Sequence, residues 1–124
     1  MEKTMPAVAY ADASLKDGRY GIGVMLIHKS GVPVPLHYGG PAKEGKTADD
    51  YEGEAIEFAA LVCNLFGHKT GKIINDNRNA SYESYNIEGF EVRCTCEESL
   101  GLLDNSLHIF AHNEAKKGRV EATV

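Results

Sequence analysis

Two apolar runs joined by a short turn are the feature that most constrains how this chain can fold. The first run, residues 7–12, ends at Asp12, and the second covers residues 21–29. Short runs rich in Val, Ile, Tyr and Leu, separated by a glycine-containing segment, predict two β-strands. A carboxylate at a strand end is held on a rigid element but stays open to solvent, which suits a metal-assisted reaction. Asp12 is therefore the first candidate site residue.

The next two segments predict an edge strand and a helix. Residues 32–38 contain two prolines, which cannot donate hydrogen bonds to neighbours on both sides, so this run is expected at a sheet edge. Between residues 50 and 66 the hydrophobic period changes from two to about 3.6, which indicates an α-helix. Asp49 or Asp50 is expected to cap the start of this helix, and Gly67 follows its end.

A further short run, residues 72–76, also ends at a carboxylate, Asp76. A strand, a helix and a returning strand form a crossover unit, so this strand is expected to run parallel to an earlier one. If the two strands are neighbours, Asp12 and Asp76 lie at one edge of the sheet, and the helix carrying Glu57 crosses that edge. Three gathered carboxylates repel one another unless a divalent cation binds, which indicates Mg²⁺ or Mn²⁺. The alternative interpretation is that all three acids are ordinary solvated residues.

The last third of the chain predicts only short elements. They are a short helix over residues 80–85, a short strand or turn over 90–94, a helical turn over 97–103, a last strand over 107–111, and a short helix or frayed end over 113–124.

Composition and charge limit the class of protein. The chain has 124 residues, 43% of them apolar, so residues 1–124 are expected to form one domain. The net charge of −5 lacks the positive field that usually marks a nucleic-acid-binding protein. No run approaches the roughly 18 apolar residues of a membrane span, and the three cysteines form no C-x-x-C pair. A reduced, cytoplasmic location without a membrane partner is the expectation.

The order of the segments resembles the ribonuclease H family. In that family the first strand carries a YTDGS-like segment and a Gly-rich hairpin, matched here by residues 10–14 and 18–23. The helix there has an ELxAL-like run, matched by residues 57–62, and the fourth strand ends in a TDS-like segment, matched by residues 75–77. The resemblance extends from residue 7 to about residue 85.

This resemblance implies an α/β fold with a five-stranded mixed sheet flanked by helices, in which the first and fourth strands are adjacent. The C-terminal helix is expected to be short or absent. The resemblance also implies two-metal phosphodiester hydrolysis, with Asp12, Glu57 and Asp76 as ligands of Mg²⁺ or Mn²⁺. The implied substrate is the RNA strand of RNA/DNA hybrids, which proteins recognise by groove shape and 2′-hydroxyl contacts. The residues expected to touch the hybrid are Ser14, Glu54 and Arg78.

The chain departs from the family where a fourth acid is usual. His112 follows residues 107–111 and can be aligned with the family's mobile histidine or with its fourth metal ligand. A neutral imidazole binds divalent ions, although oxygen ligands suit Mg²⁺ better. The alternative is an exposed histidine at a strand end. The remaining histidines are dispersed and are predicted to lie on strand or loop surfaces: His28, His37, His68 and His108.

Substrate binding is a second departure. The chain has no Trp and no basic protrusion of the kind with which some family members grip the hybrid. Weak, salt-sensitive nucleic-acid binding is therefore expected.

Three hypotheses remain. The first is a metal-dependent nuclease, and the second is a domain of the same fold that has lost hydrolysis and serves as a nucleic-acid or protein binding module. The third is a different small α+β domain in which the acids match by chance. Metal binding separates the first two from the third, and cleavage separates the first from the second. An Asp12–Asp76 separation well beyond about 8 Å would exclude a shared two-ion site.

Overall fold

The computed structural model describes residues 7–27, 33–76, 89–94 and 102–121, and within them the strands form a five-stranded sheet. In chain order the elements are β1 (Ala7–Lys16), β2 (Arg19–Ile27), β3 (Pro33–Pro41), α1 (Ala48–Leu65), β4 (Gly71–Asn75), β5 (Phe90–Cys94) and α2 (Leu102–Glu121).

The strand order is β3-β2-β1-β4-β5. β1 pairs antiparallel with β2 and β2 with β3, whereas β1 pairs parallel with β4 and β4 with β5. The predicted mixed sheet, with its first and fourth strands adjacent, is confirmed. β3 lies at the sheet edge as predicted. It pairs with β2 on one side and has no partner strand on the other among the described residues, which is where a strand that contains Pro33 and Pro35 can be accommodated. Residues 90–94, left open as a strand or turn, form β5.

The helix α1 begins two residues earlier than predicted, because its cap is Thr47 and not Asp49 or Asp50. The Thr47 hydroxyl accepts a hydrogen bond from the Asp50 backbone N–H, and the Asp50 carboxylate accepts one from the Thr47 N–H. This reciprocal pair satisfies two of the N–H groups that a helix start leaves without partners. Gly67 lies just beyond the helix end with φ 87°, as expected for the glycine that follows a helix.

The two faces of the sheet carry different helices. Side chains alternate along β1, so Ala9 and Ala11 pack with α1 while Tyr10 packs with Ala111 of α2. The core under α1 is the larger one and includes Ile56, a fully buried residue. Asp12 shares the strand parity of Tyr10 and therefore faces α2.

The C-terminal helix is the main error of the sequence predictions. Residues 107–111 were predicted to be a strand and the last helix to be short or absent, but α2 is a helix of 20 residues. Ile109 and Phe110 favour a strand locally, yet both are exposed, while the small residues Ala111, Ala115 and Gly118 repeat at helical spacing. That face of small residues is the face that packs on the sheet.

The contact between α2 and the sheet is close because glycines line both sides of it. A Cβ at Gly21 would overlap the Ala115 carbonyl oxygen, and one at Gly23 would overlap the backbone of Ala111 and Ala115. The α2 backbone therefore rests directly on β2, which fixes the helix along β1 and β2.

Several sequence predictions fall outside the described residues. They include the short helix over residues 80–85, the start of the helical turn over 97–103, and the positions of His28 and Arg78. Within the described residues, neither α1 nor α2 combines the length and the apolar character that a membrane-spanning helix needs.

A pair of adjacent glycines tests the close contact. A Cβ at Gly39 would overlap the Gly118 carbonyl oxygen, whereas one at Gly40 would make ordinary contact with the Tyr20 ring at 3.5 Å. Gly39→Ala is therefore expected to lower the free energy of unfolding by about 2–3 kcal/mol, since the backbones must separate. Gly40→Ala is the matched control and should change it by less than about 1 kcal/mol. Chemical denaturation measures both, and equal effects would contradict a direct backbone contact between Gly39 and Gly118.

Candidate active site

Asp12 and Asp76 lie together where the pairing of β1 with β4 ends. Asp76 directly follows β4, whereas β1 does not end at Asp12 as predicted but continues to Lys16 along β2. The parallel register pairs Tyr10 with Ile74, and its continuation by two residues places Asp12 beside Asp76. Asp12 is 2% exposed, and one carboxylate oxygen of each aspartate lies within 4.8 Å of the other. This separation is well below the limit of about 8 Å for a shared two-ion site.

Asn75 fixes this end of the sheet. Its side chain is fully buried, and its Nδ2 donates a hydrogen bond of 3.0 Å to the carbonyl oxygen of Ala11. The bond ties the last residue of β4 to the residue before Asp12, beyond the end of the regular strand pairing. Asn75 therefore holds Asp76 against β1.

The third carboxylate of the site is Glu52 and not Glu57. Glu52 is 6% exposed, and its Oε1 accepts a hydrogen bond of 2.5 Å from the backbone N–H of Ala13. Glu57 is exposed and lines a separate cavity with Glu54. Five residues of α-helix turn a side chain by well over a quarter circle, so Glu52 and Glu57 cannot share a direction.

Close packing of the carboxyl groups shifts their protonation. Burial and the negative charges of Asp12 and Asp76 raise the pKa of Glu52 to about 10. Burial, followed by the charge of Asp76, also raises the pKa of Asp12, while hydrogen bonds from His112 and the Ala13 N–H oppose this rise. Without a bound cation, the cluster therefore keeps a proton near neutral pH.

Two histidines of α2 complete the site. The Nδ1 of His112 donates a hydrogen bond of 2.6 Å to Oδ2 of Asp12, and the His112 side chain is 45% exposed. The Nε2 of His108 lies 3.7 Å from Oδ2 of Asp76. Residues four apart on a helix share one face, so the helical form of residues 107–111 places both histidines over the acids. His108 is therefore part of the site and not a dispersed surface histidine.

The donor set fits a divalent cation. Among the described residues, two buried polar atoms have no hydrogen-bond partner, Glu52 Oε2 and His108 Nε2, and both belong to this cluster. Buried polar atoms are rarely left without a partner, and carboxylate oxygens with an imidazole nitrogen are common ligands of divalent metals. One carboxylate oxygen from each of Asp12 and Asp76 and a ring nitrogen of His108 lie within 4.8 Å of one another. An open cavity of about 290 Å³ gives access to Asp12, Glu52, Asp76 and His112.

The predicted substrate-contacting residues divide between two places. Ser14 lies two residues beyond Asp12 on β1, and its hydroxyl accepts a hydrogen bond of 2.9 Å from Nε of Arg119. Glu54 is elsewhere: its carboxylate accepts hydrogen bonds from the Tyr38 hydroxyl at 2.8 Å and from Lys46 at 3.1 Å. Burial and then Glu54 raise the pKa of Tyr38. Glu54 therefore belongs to a contact between α1 and β3, outside the acid cavity.

Glu114, an acid in the last helix, does not supply a fourth carboxylate to the cluster. Its Oε2 accepts a hydrogen bond of 2.7 Å from Nδ1 of His37, and Lys117 lies 3.1 Å from its Oε1. Burial alone would raise the pKa of Glu114, but these two partners outweigh it and lower the pKa. Glu114 thus joins α2 to β3 and faces away from Asp12.

Comparison with solved structures identifies the architecture. RNase H1 from the halophilic archaeon Halobacterium salinarum superposes with a TM-score of 0.67 at 13% identity, covering 95% of this chain and 100% of that one. LC11-RNase H1 isolated from compost gives 0.67 at 14% identity, covering 96% and 99%. LC9-RNase H1 gives 0.68 at 15% identity, covering 99% and 76%.

The chain has a ribonuclease H-like fold. The sequence itself matches no protein-family model and no curated protein. At 13–15% identity the likeness to these structures lies in the path of the chain.

The sequence contains signals for the two residues of this site that were missed, Glu52 and His108. Glu52 stands one turn before Ile56 and two before Ala59, so it occupies the apolar face of α1, where an unpaired carboxylate is unusual. His108 and His112 have the four-residue spacing of paired ligands on a helix, which becomes informative once residues 107–111 are assigned to a helix.

Proposed function

We propose that this protein is a divalent-metal-dependent ribonuclease that hydrolyses the RNA strand of RNA/DNA hybrids. The observation that carries the proposal is the convergence of Asp12, Glu52 and Asp76 in one open cavity, with a buried Glu52 oxygen that has no hydrogen-bond partner among the described residues. The substrate class is supported by the RNase H1 structures of the same fold, one of which, LC11-RNase H1, was solved in complex with an RNA/DNA hybrid.

Asp12, Glu52 and Asp76 are the proposed metal ligands, so Glu52 takes the place first given to Glu57. When bound, Mg²⁺ or Mn²⁺ supplies positive charge that lowers the pKa of an attacking water and stabilises the leaving 3′-oxygen. Asn75 keeps the two aspartates at a fixed separation through its hydrogen bond to Ala11. Burial of Asp12 and Glu52 limits access of bulk water to the carboxylates that hold the ions.

His112 is proposed to move a proton. Because its Nδ1 donates to the Asp12 carboxylate, the neutral ring carries its lone pair on Nε2. Nε2 can then accept a proton from the attacking water and return one to the leaving 3′-oxygen. The side chain is nearly half exposed, which leaves it room to reach substrate at the mouth of the cavity.

Arg119 and Ser14 are proposed to contact the substrate backbone. They extend the site along β1 beyond Asp12, and a guanidinium group suits phosphate oxygens. The net charge of −5 opposes nucleic-acid binding, so affinity is expected to be weak and to fall steeply with salt.

The test is cleavage of a hybrid whose RNA and DNA strands carry different labels. Cleavage is expected in the RNA strand only, with Mg²⁺ or Mn²⁺ present, and none is expected in excess EDTA. Water attack with a 3′-oxygen leaving group gives 5′-phosphate and 3′-hydroxyl ends. Attack by the RNA 2′-hydroxyl would instead give cyclic phosphate ends, so end analysis identifies a contaminating metal-independent ribonuclease.

Duplex RNA and duplex DNA of the same sequence are the substrate controls. Equal cleavage of either control would contradict the hybrid assignment but retain the nuclease. Hybrid binding and metal binding without cleavage would support the second hypothesis, a domain that binds but does not hydrolyse. Absence of both metal binding and cleavage would contradict the proposed function.

A further inference from the structure

His108 presents a nitrogen atom to the acid cluster that the hydrolytic mechanism above does not use. Its Nε2 is buried, has no hydrogen-bond partner among the described residues, and lies 3.7 Å from Oδ2 of Asp76. That distance is too long for a hydrogen bond. A ring nitrogen of His108 also lies within 4.8 Å of a carboxylate oxygen of Asp12 and one of Asp76.

Glu52 gives a second, independent indication of a cation at this place. It is 6% exposed, and its Oε2 is the other buried atom without a hydrogen-bond partner in the described part of the chain. Both atoms belong to groups that turn toward Asp12 and Asp76. A divalent ion among these groups would give the nitrogen and the oxygen a partner at the same time.

We propose that Nε2 of His108 is a direct metal ligand and that it makes the site prefer first-row transition ions such as Mn²⁺ and Co²⁺ over Mg²⁺. The proposal rests on the metal site of the proposed function and adds its selectivity. Imidazole nitrogen binds transition ions more strongly than Mg²⁺, which favours oxygen ligands and retains its water. A nitrogen ligand therefore gains affinity for Co²⁺ and little or none for Mg²⁺.

The two histidines of α2 have separate tasks under this proposal. His112 is one helical turn beyond His108 and holds Asp12 through a hydrogen bond of 2.6 Å, as groups around metal ligands commonly do. The Nε2 of His108 has no hydrogen-bond partner in the described residues, so this nitrogen is available to the ion. Removal of His108 is expected to change which ion the site prefers, whereas removal of His112 is expected to lower the affinity for every divalent ion.

The experiment is a calorimetric titration of the metal-free full chain with Co²⁺ and, separately, with Mg²⁺. Wild type is expected to bind Co²⁺ at least about tenfold more tightly than Mg²⁺, and His108→Ala should lose at least about tenfold in Co²⁺ affinity with less than about threefold change for Mg²⁺. His108→Asp, which supplies oxygen, should reduce the preference for Co²⁺ over Mg²⁺. The visible absorption of bound Co²⁺ should change in both variants.

His37→Gln is the matched control, because His37 bonds to Glu114 on the other side of α2. It should leave both affinities unchanged. Circular dichroism checks that each variant is folded. In wild type, addition of Zn²⁺ should shift the ¹⁵N NMR resonance of His108 Nε2, which tests the ligand without any substitution.

Equal Co²⁺ affinity in wild type and folded His108→Ala, or an unmoved Nε2 resonance, would overturn the proposal while leaving hybrid cleavage intact. Selective Co²⁺ binding through His108 without hybrid cleavage would instead remove the proposed function and keep the metal ligand. If wild type binds no divalent ion, both the His108 ligand and the metal-dependent hydrolysis are wrong.

Discussion

Asp12→Asn is expected to reduce hybrid cleavage by about a thousandfold or more, the largest effect of any single substitution in this protein. Asp12 is the most buried of the three acids, has a carboxylate oxygen within 4.8 Å of one of Asp76, and accepts a hydrogen bond from His112. An amide keeps the shape and the hydrogen bond from His112 but has no charge, so the ion-binding energy of several kcal/mol is lost. Single-turnover cleavage in Mg²⁺ and in Mn²⁺ measures the loss.

Asp17→Asn provides the matched control for the same chemical change. Asp17 is exposed in the turn between β1 and β2, with φ 54°, a conformation that Asn also tolerates. The cleavage rate of Asp17→Asn should stay within about twofold of that of wild type. A comparable loss in both variants, or retained cleavage in Asp12→Asn, would remove Asp12 from the site.

Glu52→Gln is expected to change activity and stability in opposite directions. Cleavage should fall at least about a hundredfold because a ligand charge is lost. The metal-free protein should become more stable, since Glu52 has a pKa of about 10 in the folded state against an ordinary value of 4.5. The unfolded chain therefore releases this proton first, and the contribution of Glu52 to stability, complete below pH 4.5, declines as pH rises toward 10.

Gln cannot ionise, so the stability of the variant should lack this part of the decline. At pH 8 we expect metal-free Glu52→Gln to exceed wild type by at least about 2 kcal/mol, with a smaller difference at pH 5. Denaturation in EDTA across this pH range measures it. Glu57→Gln, an exposed glutamate on the same helix, should alter neither activity nor stability. If Glu57→Gln abolishes cleavage and Glu52→Gln does not, Glu57 and not Glu52 is the third metal ligand.

The first half of the architecture was predictable because its signals are local. Two apolar runs that reach Asp12 and Asp76, with a helix between them, are enough to bring both acids together, and the observed parallel pairing of β1 and β4 confirms that step, although β1 continues beyond Asp12 to Lys16. The helix α1 was found from its period, although its cap is Thr47.

The other parts depend on contacts between distant segments. Residues 107–111 form a helix because Ala111, Ala115 and Gly118 meet glycines about 80 to 100 residues away, which no local pattern contains. Glu57 is predicted from its place early in the helix and from the ELxAL-like run, whereas the direction of Glu52 depends on which face of α1 is buried. His108 could not be chosen until its helix was known.

The close contact between α2 and β2 matters because the oxygen and nitrogen donors of the site come from different elements. The oxygen donors Asp12, Glu52 and Asp76 come from β1, α1 and the end of β4, and the nitrogen donors His108 and His112 come from α2 alone. The position of α2 is fixed by contacts of its backbone with the sheet and not by large side chains. Residues of α2 outside this contact can therefore vary without moving the helix. One continuous segment, α2, therefore determines which ion is preferred. Exchanging α2 would change the metal preference, while β1, α1 and β4, which position the carboxylates, would stay as they are.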